Sequence, residues 1–134
     1  MRKNDLFMLV GGSVVLFDAL ASFLSKTLAL EYTEFAVGSM LIYFLSGGWG
    51  AWRFSFLTGL AASLFAGLID ATLGLLVSRL IGPFTAFSFE FVPFDKYFFM
   101  VAAVVLGSTG VGLAGAVLGT LIRHLTHKGT AAKE

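Results

Sequence analysis

The sequence contains no cysteine, which excludes disulfides, thiol nucleophiles and cysteine-ligated metals together. Charge is scarce as well: Asp, Glu, Lys and Arg make up 13% of 134 residues, about half the share found in an ordinary soluble domain. Neither sign dominates. Nine basic residues against eight acidic ones leave a net charge of +1, so there is no basic surface for nucleic acid. What fills the chain instead is apolar, with 57% hydrophobic residues, 15 phenylalanines and a mean hydropathy of +0.90. Proline occurs twice, and the 16 glycines fall inside the apolar runs, where they suggest closely packed membrane helices. This composition excludes a water-soluble enzyme and a disordered regulator. It points to an all-α integral membrane protein.

A membrane-spanning helix needs about 20 mostly apolar residues, at roughly 1.5 Å each across about 30 Å of hydrocarbon. Four runs meet that need, at approximately 6–30, 35–52, 56–81 and 97–123. The connections 31–34 and 53–55 are short, which forces consecutive helices to lie antiparallel and adjacent. The expected fold is therefore a single transmembrane domain, residues 1–134, a four-helix bundle made of two sequential helical hairpins. The connection 82–96 is longer, and Phe87, Phe89 and Phe91 alternate in it with polar residues. That two-residue period suits an extended segment, read as an outer loop resting its aromatics in the headgroup region. Residues 124–134 form a tail.

Orientation follows from the division of basic residues. Arg2, Lys3, Arg53, Arg123, Lys128 and Lys133 fall on one side; Lys26, Arg79 and Lys96 fall on the other, with Glu31, Glu34, Glu90 and Asp95. The richer side is expected to be cytoplasmic. Trp49 and Trp52 beside Arg53 read as anchors of the inner leaflet. The expectation is a multi-pass protein of the cell membrane with both termini cytoplasmic. Arg2-Lys3, the run Leu6 to Phe17 and Ala19-Leu20-Ala21 imitate a signal peptide. The apolar pattern continues through Phe23 and Leu24 to Leu28, so the segment is expected to stay as a span.

Two residues stand out against this background. Asp18 and Asp70 are the acids inside the first and third spans. An ionised carboxylate facing lipid there costs at least about 3 kcal/mol, so both are expected to turn inward and to be protonated, hydrogen-bonded or paired with a cation. Lys26 and Arg79 lie two or more turns further along and are expected to snorkel to the outer interface. The tripeptides Phe17-Asp18-Ala19 and Ile69-Asp70-Ala71 are a faint internal echo, 52 residues apart.

Helical spacing supplies candidate neighbours. Ser22 and Ser25 share a face with Asp18; Ser39, Tyr43, Ser46 and Gly50 share one in the second span. Ser63, Gly67 and Gly74 accompany Asp70. Ser108, Thr109, Gly112, Gly115 and Gly119 line the fourth span. Each span thus carries a stripe of small or polar residues. Such stripes also serve plain helix packing, and Ser or Thr can simply bond their own preceding carbonyls. Gly112, Gly115 and Gly119 are read as packing positions, and Ser22, Ser39, Tyr43, Ser46, Ser63, Ser108 and Thr109 as polar lining around the two acids.

Other chemistry finds little support. His124 and His127 lie past the last span without a third ligand, no Ser-His-Asp set can be assembled, and no phosphate-binding glycine loop occurs. No enzyme activity, cofactor or metal is expected. The segment Gly47-Gly48-Trp49-Gly50-Ala51-Trp52-Arg53 is similar to the Gly-Gly-x-x-Gly-Ala-x-x-Arg opening of small four-helix fluoride channels. Its spacing is one residue short in each half, so it carries no family assignment.

Two carboxyl groups in a low-dielectric site suit the binding and release of a proton, or of a cation that replaces it. The leading expectation is a transporter or channel-like protein using Asp18 and Asp70 in this way. The alternative is a structural or assembly subunit of a larger membrane complex, its aspartates meeting a partner's basic side chain. Besides the lipid bilayer, a second copy of the chain or a larger complex is the expected partner.

Overall fold

The computed structural model describes residues 1–83 and 94–131. The expectation for Phe87, Phe89 and Phe91 lies outside the described residues. Every regular element among the described residues is helical.

Helix α1 spans Lys3–Leu28. The extended Arg2 precedes it, and its backbone N–H donates to Asp5 Oδ2 at 2.7 Å. That bond reaches back over the first turn, where acidic side chains also meet the helix dipole favourably. The exit uses Ala29 in the left-handed region, at φ 54°. Its N–H donates to the Ser25 carbonyl, and Ser25 Oγ donates onward to the Leu30 carbonyl at 2.7 Å. A single 3-10 turn, Tyr32–Phe35, leads into α2, Ala36–Arg53. Ser55 opens α3, Phe56–Ile69, by accepting the Thr58 N–H at 3.2 Å.

Beyond Ile69 the helix continues through one π turn, Asp70–Gly74, into α4, Leu75–Ile81. Together these form one rod, which stops at Gly82 with φ 69°. The last helix, α5, runs Phe94–Ala131. It is longer than the run read from the sequence, taking in Phe94 from the connection and His124 from the tail.

Among the described residues, three segments are long and apolar enough to cross a membrane: Lys3–Leu28, Phe56–Ile81 and Lys96–Thr126. Helix α2 falls short of that standard. Its 18 residues include Gly47, Gly48, Gly50, Trp49, Trp52 and Arg53, and at about 1.5 Å per residue it is roughly 27 Å long.

The distribution of polarity is inverted relative to a protein folded in water. Leu16, Leu20, Leu41, Leu45, Leu57, Leu80, Phe99 and Leu106 are exposed, while Asp18, Ser22, Ser25, Ser63 and Ser108 are almost wholly buried. Between helices in lipid there is no hydrophobic driving force, and close packing with hydrogen bonding must hold them together. The glycines provide the packing. A β-carbon on Gly47 would collide with the Gly112 backbone, one on Gly115 with Phe44 and Gly48, and one on Gly119 with Gly48. On the other flank of α2, a β-carbon on Gly50 would stand 2.7 Å from Gly59 Cα. Helix α2 is therefore seated against both α3 and α5, more closely than against α1.

Helix α1 lies along the other side of the Phe56–Ile81 rod. Phe7 meets Phe65 edge-on at 5.4 Å, and fifteen residues later Ser22 meets Ser78. Both numbers rise together, so α1 and the rod run parallel. That register places Asp18 opposite Gly74.

Candidate functional site

Asp18 and Asp70 come together across Gly74. The position a Gly74 β-carbon would occupy is overlapped by Asp18 Oδ2, with Asp18 Cγ at 2.9 Å and Asp70 Oδ1 at 3.1 Å. Asp70 heads the π turn, in which the Leu75 N–H donates to the Asp70 carbonyl five residues back. Such turns insert an extra residue and are frequent at functional sites. Here the turn carries both Asp70 and Gly74.

Each carboxyl has one oxygen engaged and one turned to the other acid. Tyr32 OH donates to Asp18 Oδ1 at 3.2 Å, and Tyr43 OH donates to Asp70 Oδ2. Among the described residues Asp18 Oδ2 is buried with no hydrogen-bond partner, and the residue as a whole is 1% exposed. A buried carboxyl oxygen without a hydrogen bond is costly.

A hydroxyl chain leads to the pair. Ser22 Oγ donates to Ser78 Oγ at 2.9 Å, and Ser78 Oγ lies 3.0 Å from Tyr32 OH. A hydroxyl has a single proton to give. Tyr32 spends its own on Asp18, so Ser78 donates to Tyr32, and the chain runs one way from Ser22 to Asp18. Burial pushes the Tyr32 phenol up to about 12, which keeps it a donor at every physiological pH.

A cavity of about 510 Å³ adjoins Asp70. It lies between α2, the π turn with α4, and the first half of α5, and Phe17 reaches it from α1. Phe17 can do so because its ring rests on Gly38, where a β-carbon would strike it. Tyr43, Asp70, Ser39, Tyr32, Thr33, Ser78 and Ser108 supply its polar wall. Asp70 lines the cavity directly and Asp18 sits behind it.

Ser108 lines the same cavity, its hydroxyl donating to the Val105 carbonyl at 2.9 Å; the remaining sequence candidates are placed elsewhere. Ser63 Oγ donates to the Ser108 carbonyl at 2.6 Å, joining α3 to α5 beside Gly67 and Gly112. Ser46 bonds the Ile42 carbonyl and Thr109 the Val105 carbonyl, each within its own helix. Lys26 Nζ donates to the Ile81 carbonyl at 2.8 Å, and the Arg79 guanidinium stands over the Tyr97 ring at 6.0 Å. Among the described residues neither aspartate has a basic partner. Tyr32 and Ser78 are the site residues that sequence reasoning misses. Ser78 carries a readable signal, because it extends the Asp70–Gly74 stripe by one more turn; Tyr32, in the polar connection, carries none.

No family model, no curated protein and no solved structure matches the chain. The site therefore has to be interpreted from its own chemistry.

Proposed function

We propose that this is a small polytopic membrane protein that holds a proton, or a cation in its place, between Asp18 and Asp70, and that it acts as a transporter or channel-like protein. The observation that carries this reading is the unpartnered Asp18 Oδ2 turned toward Asp70 Oδ1. With Tyr32 and Tyr43 already donating to the other two oxygens, a single proton placed between the facing oxygens completes the hydrogen bonding of both acids. Two bare carboxylates there would repel in a medium of low dielectric.

In this reading α2 is a fourth, shorter span, wedged between α3 and α5, and both termini are cytoplasmic. Support comes from the ends of the helices. Arg123 donates to the Phe54 carbonyl in the turn beside Arg53, which gathers basic residues at one end of the bundle. The start of α1 points toward that same end, since α1 runs parallel to the Phe56–Ile81 rod, with Phe7 on Phe65 and Ser22 on Ser78.

The test is flux in reconstituted vesicles under an imposed proton or sodium gradient. Asp18→Asn and Asp70→Asn each abolish the flux while the purified protein keeps its helicity and oligomeric state. Undiminished flux in the double variant overturns the proposal. A second reading, an assembly subunit without transport of its own, draws on the closure around Asp18, which the cavity does not reach. Its mark is a co-purifying membrane partner that is lost with Asp18→Asn.

A further inference from the structure

We infer that the cavity beside Asp70 binds a hydrophobic organic monocation, which enters as the shared proton leaves; this rests on the proton-holding reading of the aspartate pair.

Size comes first. At about 510 Å³ the space falls within the roughly 300–1,000 Å³ of small-molecule sites and is far too large for a bare metal ion. A hard cation also asks for about six oxygen ligands, whereas most of this wall is apolar, Phe17, Met40, Leu75, Met100, Val104 and Val111 among it. Those side chains suit an apolar body.

Charge comes second. Asp70 is the one ionisable carboxyl among the described lining residues, and none of them is basic. An anion is therefore disfavoured, and a cationic head set against Asp70 is favoured. The Tyr43 and Phe17 rings on the same wall offer cation–π contact. The balance also closes. The pair holding one proton carries one negative charge; after that proton leaves and one monocation arrives, the charge of the site is unchanged. A dication would not preserve it.

Gly107 provides a clean probe. It lines the cavity, and a β-carbon there meets none of the described residues within 4 Å, so Gly107→Leu fills space without touching the aspartates. The experiment measures tetraphenylphosphonium binding by calorimetry, and proton release in weak buffer, with the protein in lipid nanodiscs and empty nanodiscs as blank. The titrating carboxyl is followed separately by infrared spectroscopy. The expected result is one proton released per cation bound, with binding at least tenfold weaker in Asp70→Asn and in Gly107→Leu, and the carboxyl titration intact in Gly107→Leu. Binding that survives Asp70→Asn overturns the inference, because the occupant is then held by the apolar wall alone, as an acyl chain would be. Absence of binding alongside a normal carboxyl titration overturns the inference and leaves the proton site standing. Absence of any titrating carboxyl overturns both.

Discussion

Asp18 Oδ2 and Asp70 Oδ1 face one another over the bare Cα of Gly74, the first overlapping the place of a β-carbon and the second 3.1 Å from it. Two acids on different helices can approach this closely because the residue between them has no side chain. The contact ties α1 to the rod at the π turn. Phe7 and Phe65 fix the register at one end and Ser22 and Ser78 at the other. The acids thus meet because parallel helices set them at matching heights.

Gly74→Ala tests that arrangement. In a helix interior Ala is favoured over Gly by about 1 kcal/mol, so propensity alone would stabilise the variant. The new methyl group instead overlaps Asp18 Oδ2. Overpacking of this kind costs about 1–3 kcal/mol. The expected outcome is a lower unfolding midpoint in detergent, together with loss of any infrared signature of a shared carboxyl proton.

Asp18→Asn and Asp18→Leu should separate hydrogen bonding from charge. The Asn carbonyl keeps the Tyr32 bond, and its amide N–H can donate to Asp70 Oδ1, so stability should stay within about 1 kcal/mol. Leu removes the acceptor and leaves the Tyr32 hydroxyl with no carboxyl to bond, at a cost of about 1–3 kcal/mol. Chemical or thermal unfolding of the two variants side by side gives the difference, while both should lack flux.

Tyr32 makes a prediction about alkaline pH. Its phenol titrates near 10.0 when free and at about 12 in the folded chain, chiefly through burial. The folded state holds that proton more tightly than the unfolded state, so stability is fully present below the free value. It declines as pH rises through the window between the two. Unfolding midpoints across that window should fall more steeply for the natural chain than for Tyr32→Phe.

Much of this site is legible in the sequence, for physical reasons that can be named. An acid within an apolar run must turn away from lipid, which singles out Asp18 and Asp70. The helical repeat then assigns Ser22 and Gly74 to their faces, and one further turn would add Ser78. The π turn is not legible, because Asp70-Ala71-Thr72-Leu73-Gly74 reads as ordinary helix. Tyr32 is hidden for another reason: periodicity ends with the helix, and no local pattern reveals that a connection folds back onto α1. Ser46 and Thr109 show the opposite error. Their spacing matches a polar lining, yet each hydroxyl satisfies a carbonyl one turn back in its own helix, and sequence spacing cannot tell these uses apart.

The glycine seam of α2 should prove as important to the site as the aspartates, although it lies a turn or more away. Gly115 sits where a β-carbon would strike Phe44 and stand 3.0 Å from Gly48 N, so Gly115→Leu must push α2 and α5 apart. In lipid no hydrophobic gain offsets that separation, and a loss of about 3 kcal/mol is expected. Gly110, by contrast, has none of the described residues within 4 Å of a β-carbon, and Gly110→Ala should be neutral or stabilising by up to about 1 kcal/mol. Tyr43 rides on α2 and donates to Asp70. Displacing α2 therefore withdraws a donor from the carboxyl pair as well as weakening the bundle. Gly115→Leu should lower the unfolding midpoint and perturb the infrared band of Asp70, whereas Gly110→Ala should do neither; equal behaviour of the two variants would mean that α2 is not held to α5 by its glycines.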